Sequence, residues 1–162
     1  MKDKLERYIV LDIETTGFDK KEDEILQISI IDQDDEVLFN EYIKPESKKA
    51  WPQAEKVHHI TDAMLKNEKS LSYYKDRLND IFSSYSVVVT YNGEYFDIPF
   101  LEAKGFEMKK LMVYDMMKEW VKYHGGKWRK LSELARELGF EEEKYHDSLT
   151  DVRATNYIYK KM

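Results

Sequence analysis

The sequence predicts an α/β fold, a mixed sheet covered by helices. Two observations lead there: three short apolar runs open the chain, and after them segments with helical spacing alternate with further short apolar runs. A third sets the scale. The 162 residues, 42% of them hydrophobic, are enough for one domain with a real core, so a single domain over residues 1–162 is expected.

Taken in order, Tyr8 to Ile13 is the first strand, Glu24 to Asp32 (EILQISIID) the second and Glu36 to Ile43 (EVLFNEYI) the third. Gln33-Asp34-Asp35 supplies the turn between the last two, which makes the opening a meander. Pro45 to Pro52 reads as loop and Ala63 to Lys66 as a short helix. Leu71, Tyr74, Leu78, Ile81 and Phe82 recur at helical spacing across Ser70 to Ser83. Val87 to Tyr91 returns to strand, Tyr95 to Lys104 is a helix closed by Gly105, and Leu111 to Tyr114 is a strand. Helices follow over Met116 to Tyr123, ended by Gly125-Gly126, over Lys130 to Leu138, ended by Gly139, and over Ser148 to Lys161.

Composition narrows the class of protein. Charged residues reach 36%, above the ~25% usual for soluble proteins, and aromatics reach 14%, which argues for a folded, well-solvated chain. With no cysteine, disulfides and thiolate metal sites are excluded. The leading MKDKLERY has no apolar signal core, and no apolar run approaches the ~20 residues of a membrane span, so a cytoplasmic protein without membrane association is expected. A net charge of −6 runs against the basic footprint usual for nucleic-acid binders, unless a local patch or bound metal ions compensate.

Chemistry enters with the first strand. Alternation sets Ile9, Leu11 and Ile13 on one face and Val10, Asp12 and Glu14 on the other. Two carboxylates thus end an apolar strand side by side, opposing each other's ionisation unless something positive lies between them. Polar clusters end other elements: Tyr91-Asn92-Gly93-Glu94-Tyr95-Phe96-Asp97, His146-Asp147-Ser148-Leu149-Thr150-Asp151, and Val57-His58-His59-Ile60-Thr61. Open α/β sheets place their sites at such ends. If Asp97 and Asp151 approach Asp12 and Glu14, four carboxylates share a pocket, and hard oxygen ligands favour Mg²⁺ or Mn²⁺.

The order and spacing of these motifs resemble the DEDDh family of 3′→5′ exonucleases, which includes the proofreading subunit of bacterial DNA polymerase III. DIETTG looks like the first motif of that family, NGEYFD the second and HDSLTD the third; VHHIT is similar to its VHGIT segment, with His59 where glycine is usual. The resemblance covers nearly the whole chain. It implies a ribonuclease H-like mixed sheet of about five strands flanked by helices. It implies Asp12, Glu14, Asp97 and Asp151 as ligands of two divalent ions, Mg²⁺ or Mn²⁺, and His146 as general base. His146 precedes Asp151 by five residues, as in the histidine subclass; the position four before it, where the tyrosine subclass has its base, is Asp147. Thr15, Thr16, Val57, His58, Asn92 and Phe96 are implied as contacts to the substrate.

Plainer readings stand beside these. Asp12 and Glu14 alone could be a solvated strand end before a Thr-Thr-Gly turn, and Asp97 alone a helix-start charge ahead of Pro99. Asp115 and Asp147 read as helix caps. Lys127-Trp128-Arg129-Lys130 reads either as a phosphate and base contact or as a solvated helix start, and Glu141 to Glu143 as a solvated acidic run. The functional expectation is a 3′→5′ exonuclease releasing single nucleotides from a nucleic acid with a free 3′ end, single-stranded DNA foremost. An RNA-trimming enzyme of the same subclass and a catalytically silent, polymerase-associated binding domain remain alternatives. The chain stops soon after HDSLTD, so the extension through which the bacterial proofreading subunit binds its polymerase is not expected.

Overall fold

A computed structural model describes residues 7–142 and 145–162. The leading MKDKLE and Glu143 of the acidic run lie outside the described residues. Five strands form one sheet in the order β3-β2-β1-β4-β5, with β1 at Ile9–Thr15, β2 at Ile25–Asp32, β3 at Val37–Tyr42, β4 at Val87–Thr90 and β5 at Met112–Asp115. β1, β2 and β3 pair antiparallel, as a meander must. β4 and β5 join parallel to β1, so the sheet changes character along one edge of its central strand. Ligand sites of open sheets gather where strand order reverses, at the carboxyl ends. Here that is the end of β1, next to the end of β4.

Helices cover both faces: α1 (Pro52–His58), α2 (Lys75–Ser84), α3 (Asp97–Ala103), α4 (Met116–His124), α5 (Leu131–Glu137) and α6 (Ser148–Lys161). The alternation read in β1 sorts them. Ile9, Leu11 and Ile13 pack with Leu78 and Phe82 of α2 and Phe100 and Leu101 of α3. Val10, on the other face, packs with Leu134 of α5 and Val152 and Ile158 of α6. Each such fully buried aliphatic contributes about 1.5–3 kcal/mol of transfer free energy, which fixes α6 against the face that carries Asp12 and Glu14.

Two expected elements differ. The helix read over Ser70 to Ser83 divides: Leu71–Tyr74 is a 3₁₀ turn and α2 begins at Lys75. The segment after Pro52, read without a helix, forms α1, with Pro52 in the first turn, where its missing N–H is no loss. Trp51 seats that helix by donating its indole N–H to the Ile60 carbonyl at 2.7 Å, in a small core with Leu26 and Leu65. Asp115 and Asp147 are caps as read: Asp115 accepts from the Met117 N–H at 3.1 Å and Asp147 from the Thr150 N–H at 3.3 Å.

Candidate functional site

β1 delivers Asp12 and Glu14 to the α6 face, and Asp151 meets them from the first turn of α6. Ligand-capable oxygens of these three residues lie within 4.8 Å of one another. Asp97, the first residue of α3 and buried, comes from the side of β4 and accepts a hydrogen bond from the Ile13 backbone N–H. Polar residues of β2 hold α6 in register. Gln27 donates from Nε2 to Asp147 Oδ1 at 3.1 Å, and the Ser29 and Ser148 hydroxyls share a hydrogen bond. Neither Gln27 nor Ser29 was singled out from the sequence, although polar residues two apart in an otherwise apolar strand mark a face with something to bind.

The electrostatics are those of an uncompensated acidic cluster. Burial, then Asp97, Asp151, Glu14 and Asp147, hold the Asp12 carboxyl well above its usual range. Burial and the charges of Asp151 and Asp97 push Glu14 up to about 9. Asp97 rises to about 8, chiefly through burial and against its backbone hydrogen bond from Ile13. Asp151 rises to about 7, again through burial, against the hydrogen bond its Oδ1 accepts from the His146 N–H at 3.3 Å. Among the described residues no ion pair reaches any of the four. Asp12 Oδ2 is buried without a hydrogen-bond partner, although a buried carboxylate oxygen without one is strongly disfavoured. Oxygen-only donors, mutual repulsion and an orphaned carboxylate oxygen fit a divalent cation.

Two clefts, each of about 450 Å³, border the cluster. The first is lined by Glu14, Thr15, Thr16, Phe18, Gln53, Val57, His58 and Phe96, which gathers most of the residues expected to contact substrate. Phe18 and Gln53 were missed; Phe18 is 91% exposed and meets Phe96 edge-on at 6.0 Å. Within this cleft Thr15 Oγ1 donates to the Gly17 carbonyl at 2.6 Å and Thr16 Oγ1 to Asp23 at 2.8 Å. His58 is buried with both ring nitrogens engaged: Nδ1 accepts from the Ile60 N–H at 3.1 Å, which leaves Nε2 to donate to the Thr15 carbonyl at 2.9 Å. Burial first, and then the charge of His59, lower its pKa.

The second cleft is lined by Tyr91, Asn92, Trp128, Lys130, Tyr145, His146 and Asp151 among others, so Asn92 lies apart from the other expected contacts. His146 is exposed, with a left-handed backbone (φ 70°), and its pKa is lowered by partial burial and by the nearby charges of His59 and Lys130. Asn92 is also left-handed (φ 63°), its N–H held by Asp115 at 2.9 Å. Gly93 follows. A Cβ there would lie 2.5 Å from Thr90 Cβ and 2.6 Å from Asp97 Oδ2, so the turn closes on the acid only with glycine.

A cluster of oxygen-only donors at the switch point of such a sheet is an arrangement that suits a metal-dependent hydrolase. A family model described as "Exonuclease" matches residues 9–159, and the chain belongs to that exonuclease family. It is 28% identical over 162 residues to a DNA polymerase III PolC-type of Clostridium perfringens, covering 96% of this chain and 11% of that protein. It is 27% identical over 163 residues to the 3′-5′ exonuclease DinG of Bacillus subtilis, covering 95% of this chain and 17% of that protein. The chain thus spans only a small part of these relatives. Among solved structures, E. coli exonuclease I in complex with a dA16 oligonucleotide shares the fold, with a TM-score of 0.78, 19% identity, and coverage of 93% of this chain and 39% of that one. Among the described residues no helix is long and apolar enough to cross a membrane.

Proposed function

We propose that residues 1–162 act as a single exonuclease domain that hydrolyses single nucleotides from the 3′ end of DNA in the cytoplasm. The observation that carries the reading is the convergence of Asp12, Glu14 and Asp151 within 4.8 Å, with the Asp12 Oδ2 orphaned. Asp12, Glu14, Asp97 and Asp151 would hold two Mg²⁺ or Mn²⁺ ions. Bound there, the ions would stabilise charge on the attacking and leaving oxygens of the phosphodiester. His146, neutral near pH 7 because its pKa is lowered, takes a proton from the attacking water. Its left-handed backbone presents the ring to the cleft it shares with Asp151. Thr15, Thr16, Val57, His58 and Phe96 receive the terminal nucleotide, Phe96 by stacking on its base. His58 contributes by fixing the Thr15 carbonyl, and Asn92 guides the strand from the other side of the acids.

Relatives named as polymerase III and as a 3′-5′ exonuclease favour DNA and a 3′ end over RNA trimming, and favour turnover over a silent module. The same names raise a polymerase as a partner. The test is an assay of matched DNA and RNA oligonucleotides with free or phosphorylated 3′ ends, with Mg²⁺, Mn²⁺ or chelator. Mononucleotide release from free 3′ ends of DNA, abolished by chelator, is expected. Efficient cutting of circular single strands, or hydrolysis in chelator, overturns the reading.

A further inference from the structure

The catalytic reading uses His146 and Asn92 in the second cleft and leaves its outer rim unexplained. Trp128 lines that cleft 62% exposed, and Tyr95, 59% exposed, stands beside it with ring centroids 6.4 Å apart and planes inclined by 30°. The two rings make an ordinary aromatic contact and leave more than half of each side chain open to solvent. Exposed ring surface of this kind stacks on unpaired bases whatever their sequence.

The surroundings suit a phosphate backbone. Trp128 sits in the run Lys127-Trp128-Arg129-Lys130, cationic on a chain whose net charge is −6. Arg129 is held by Glu137, and Lys118 by Glu94 at 3.0 Å, but among the described residues no ion pair takes Lys127 or Lys130. Lys130 is near enough to His146 for its charge to be felt there, so the rim is continuous with the catalytic cleft. The turn after β4 also divides the two sides: Phe96 lines the first cleft while its neighbour Tyr95 faces Trp128. A strand whose last nucleotide rests by Phe96, and whose backbone crosses the carboxylates, leaves through the second cleft.

We infer that Tyr95 and Trp128 form an aromatic clamp whose exposed ring surface stacks on an unpaired base upstream of the 3′-terminal nucleotide, with Lys127 and Lys130 on adjoining phosphates. The clamp rests on the exonuclease reading above and sharpens it to one substrate class, a single-stranded 3′ end several nucleotides long. A base stacks on these rings only with a face free, which duplex stacking denies.

Strand length is the variable that tests it. Base–aromatic stacking is worth about 1–3 kcal/mol per base, so in the wild type KM should fall about tenfold or more between a dithymidylate and an octathymidylate. In Tyr95→Ala and Trp128→Ala that length dependence should collapse, whereas Trp128→Phe should retain most of it. In chelator, octathymidylate should quench tryptophan fluorescence of the wild type and not of Trp128→Ala, and a blunt duplex should quench neither. Equal length dependence in the wild type and both alanine variants, or equal quenching by duplex and single strand, overturns the clamp. Selective quenching of a wild-type protein that hydrolyses neither oligonucleotide would support the clamp and sink the exonuclease reading, so the two failures are distinguishable.

Discussion

The two ends of α6 are built on opposite principles. Its first turn brings Asp151 into a cluster of buried and half-buried acids that no described cation neutralises. Its distal half carries a chain of matched polar contacts. Tyr8 donates to Asn156 Oδ1 at 2.8 Å, Asn156 Nδ2 donates to Asp35 Oδ1 at 2.8 Å, and Lys160 pairs with the other oxygen of Asp35 at 2.7 Å. One helix therefore carries strain where chemistry is proposed and spends its satisfied contacts on holding position elsewhere, a division that active sites require. Changes at the first turn should trade activity for stability, and changes at the distal half should cost stability and leave activity alone.

The largest effect should come from neutralising a ligand. Asp12→Asn or Asp151→Asn should lower turnover by about 10³-fold or more, since a lost metal contact costs several kcal/mol of transition-state stabilisation. The metal-free melting temperature of either variant should hold or rise, as repulsion is relieved. Near-normal turnover would break the comparison at its acidic end.

Next in size is His146→Ala. A positioned base contributes about 10² to 10⁴ in rate, and the variant should also lose the acid limb of the pH profile. In the wild type that limb should centre below the ordinary histidine value of 6.5, because the folded pKa is lowered. A limb that survives in the variant would assign the base elsewhere.

The pH dependence of stability reads the same cluster without catalysis. Glu14 rises from 4.5 to about 9, Asp97 from 3.8 to about 8 and Asp151 from 3.8 to about 7. Between those limits the folded protein binds more protons than the unfolded chain, so stability falls as pH rises. Metal-free protein should lose melting temperature from pH ~4 to pH ~9, and saturating Mn²⁺ should flatten the curve. A metal-free curve that rises through this window would contradict the acidic strain.

Asn156→Ala probes the matched half. It strands the buried Tyr8 hydroxyl, a loss of about 1–3 kcal/mol, and should leave kcat unchanged; a matching fall in kcat would mean that the two halves are coupled. The smallest change is His59→Gly. His59 caps α1 with a left-handed backbone (φ 60°), a conformation that costs a non-glycine residue about 1–2 kcal/mol. The variant should be more stable by up to that amount. Because the His59 charge lowers the pKa of His146, its acid limb should also move to higher pH.

The sequence made the strands and the acids legible for one reason: period-two alternation is local. Asp12 follows Val10 onto the α6 face because the pleat leaves it nowhere else. α1 was not legible, being a seven-residue helix whose apolar residues lack a helical period. Its absence from the reading hid Gln53 and left the VHHIT segment without a frame. Strand order was out of reach as well, since β4 and β5 join β1 through crossovers that no local pattern encodes. The relation between Tyr95 and Trp128 needs that order, for one ring comes from the turn after β4 and the other from the segment between α4 and α5.

Gly93 carries a consequence for how such a chain can diverge. An added Cβ would press at once on Thr90, fully buried in β4, and on the buried Asp97 carboxylate, so moving the acid alone does not relieve it. A lineage drifting at this position would lose fold and catalysis together, and selection on either one holds the glycine. Descendants that abandon the chemistry and keep the architecture gain no freedom at residue 93, so the glycine outlasts the reaction it serves.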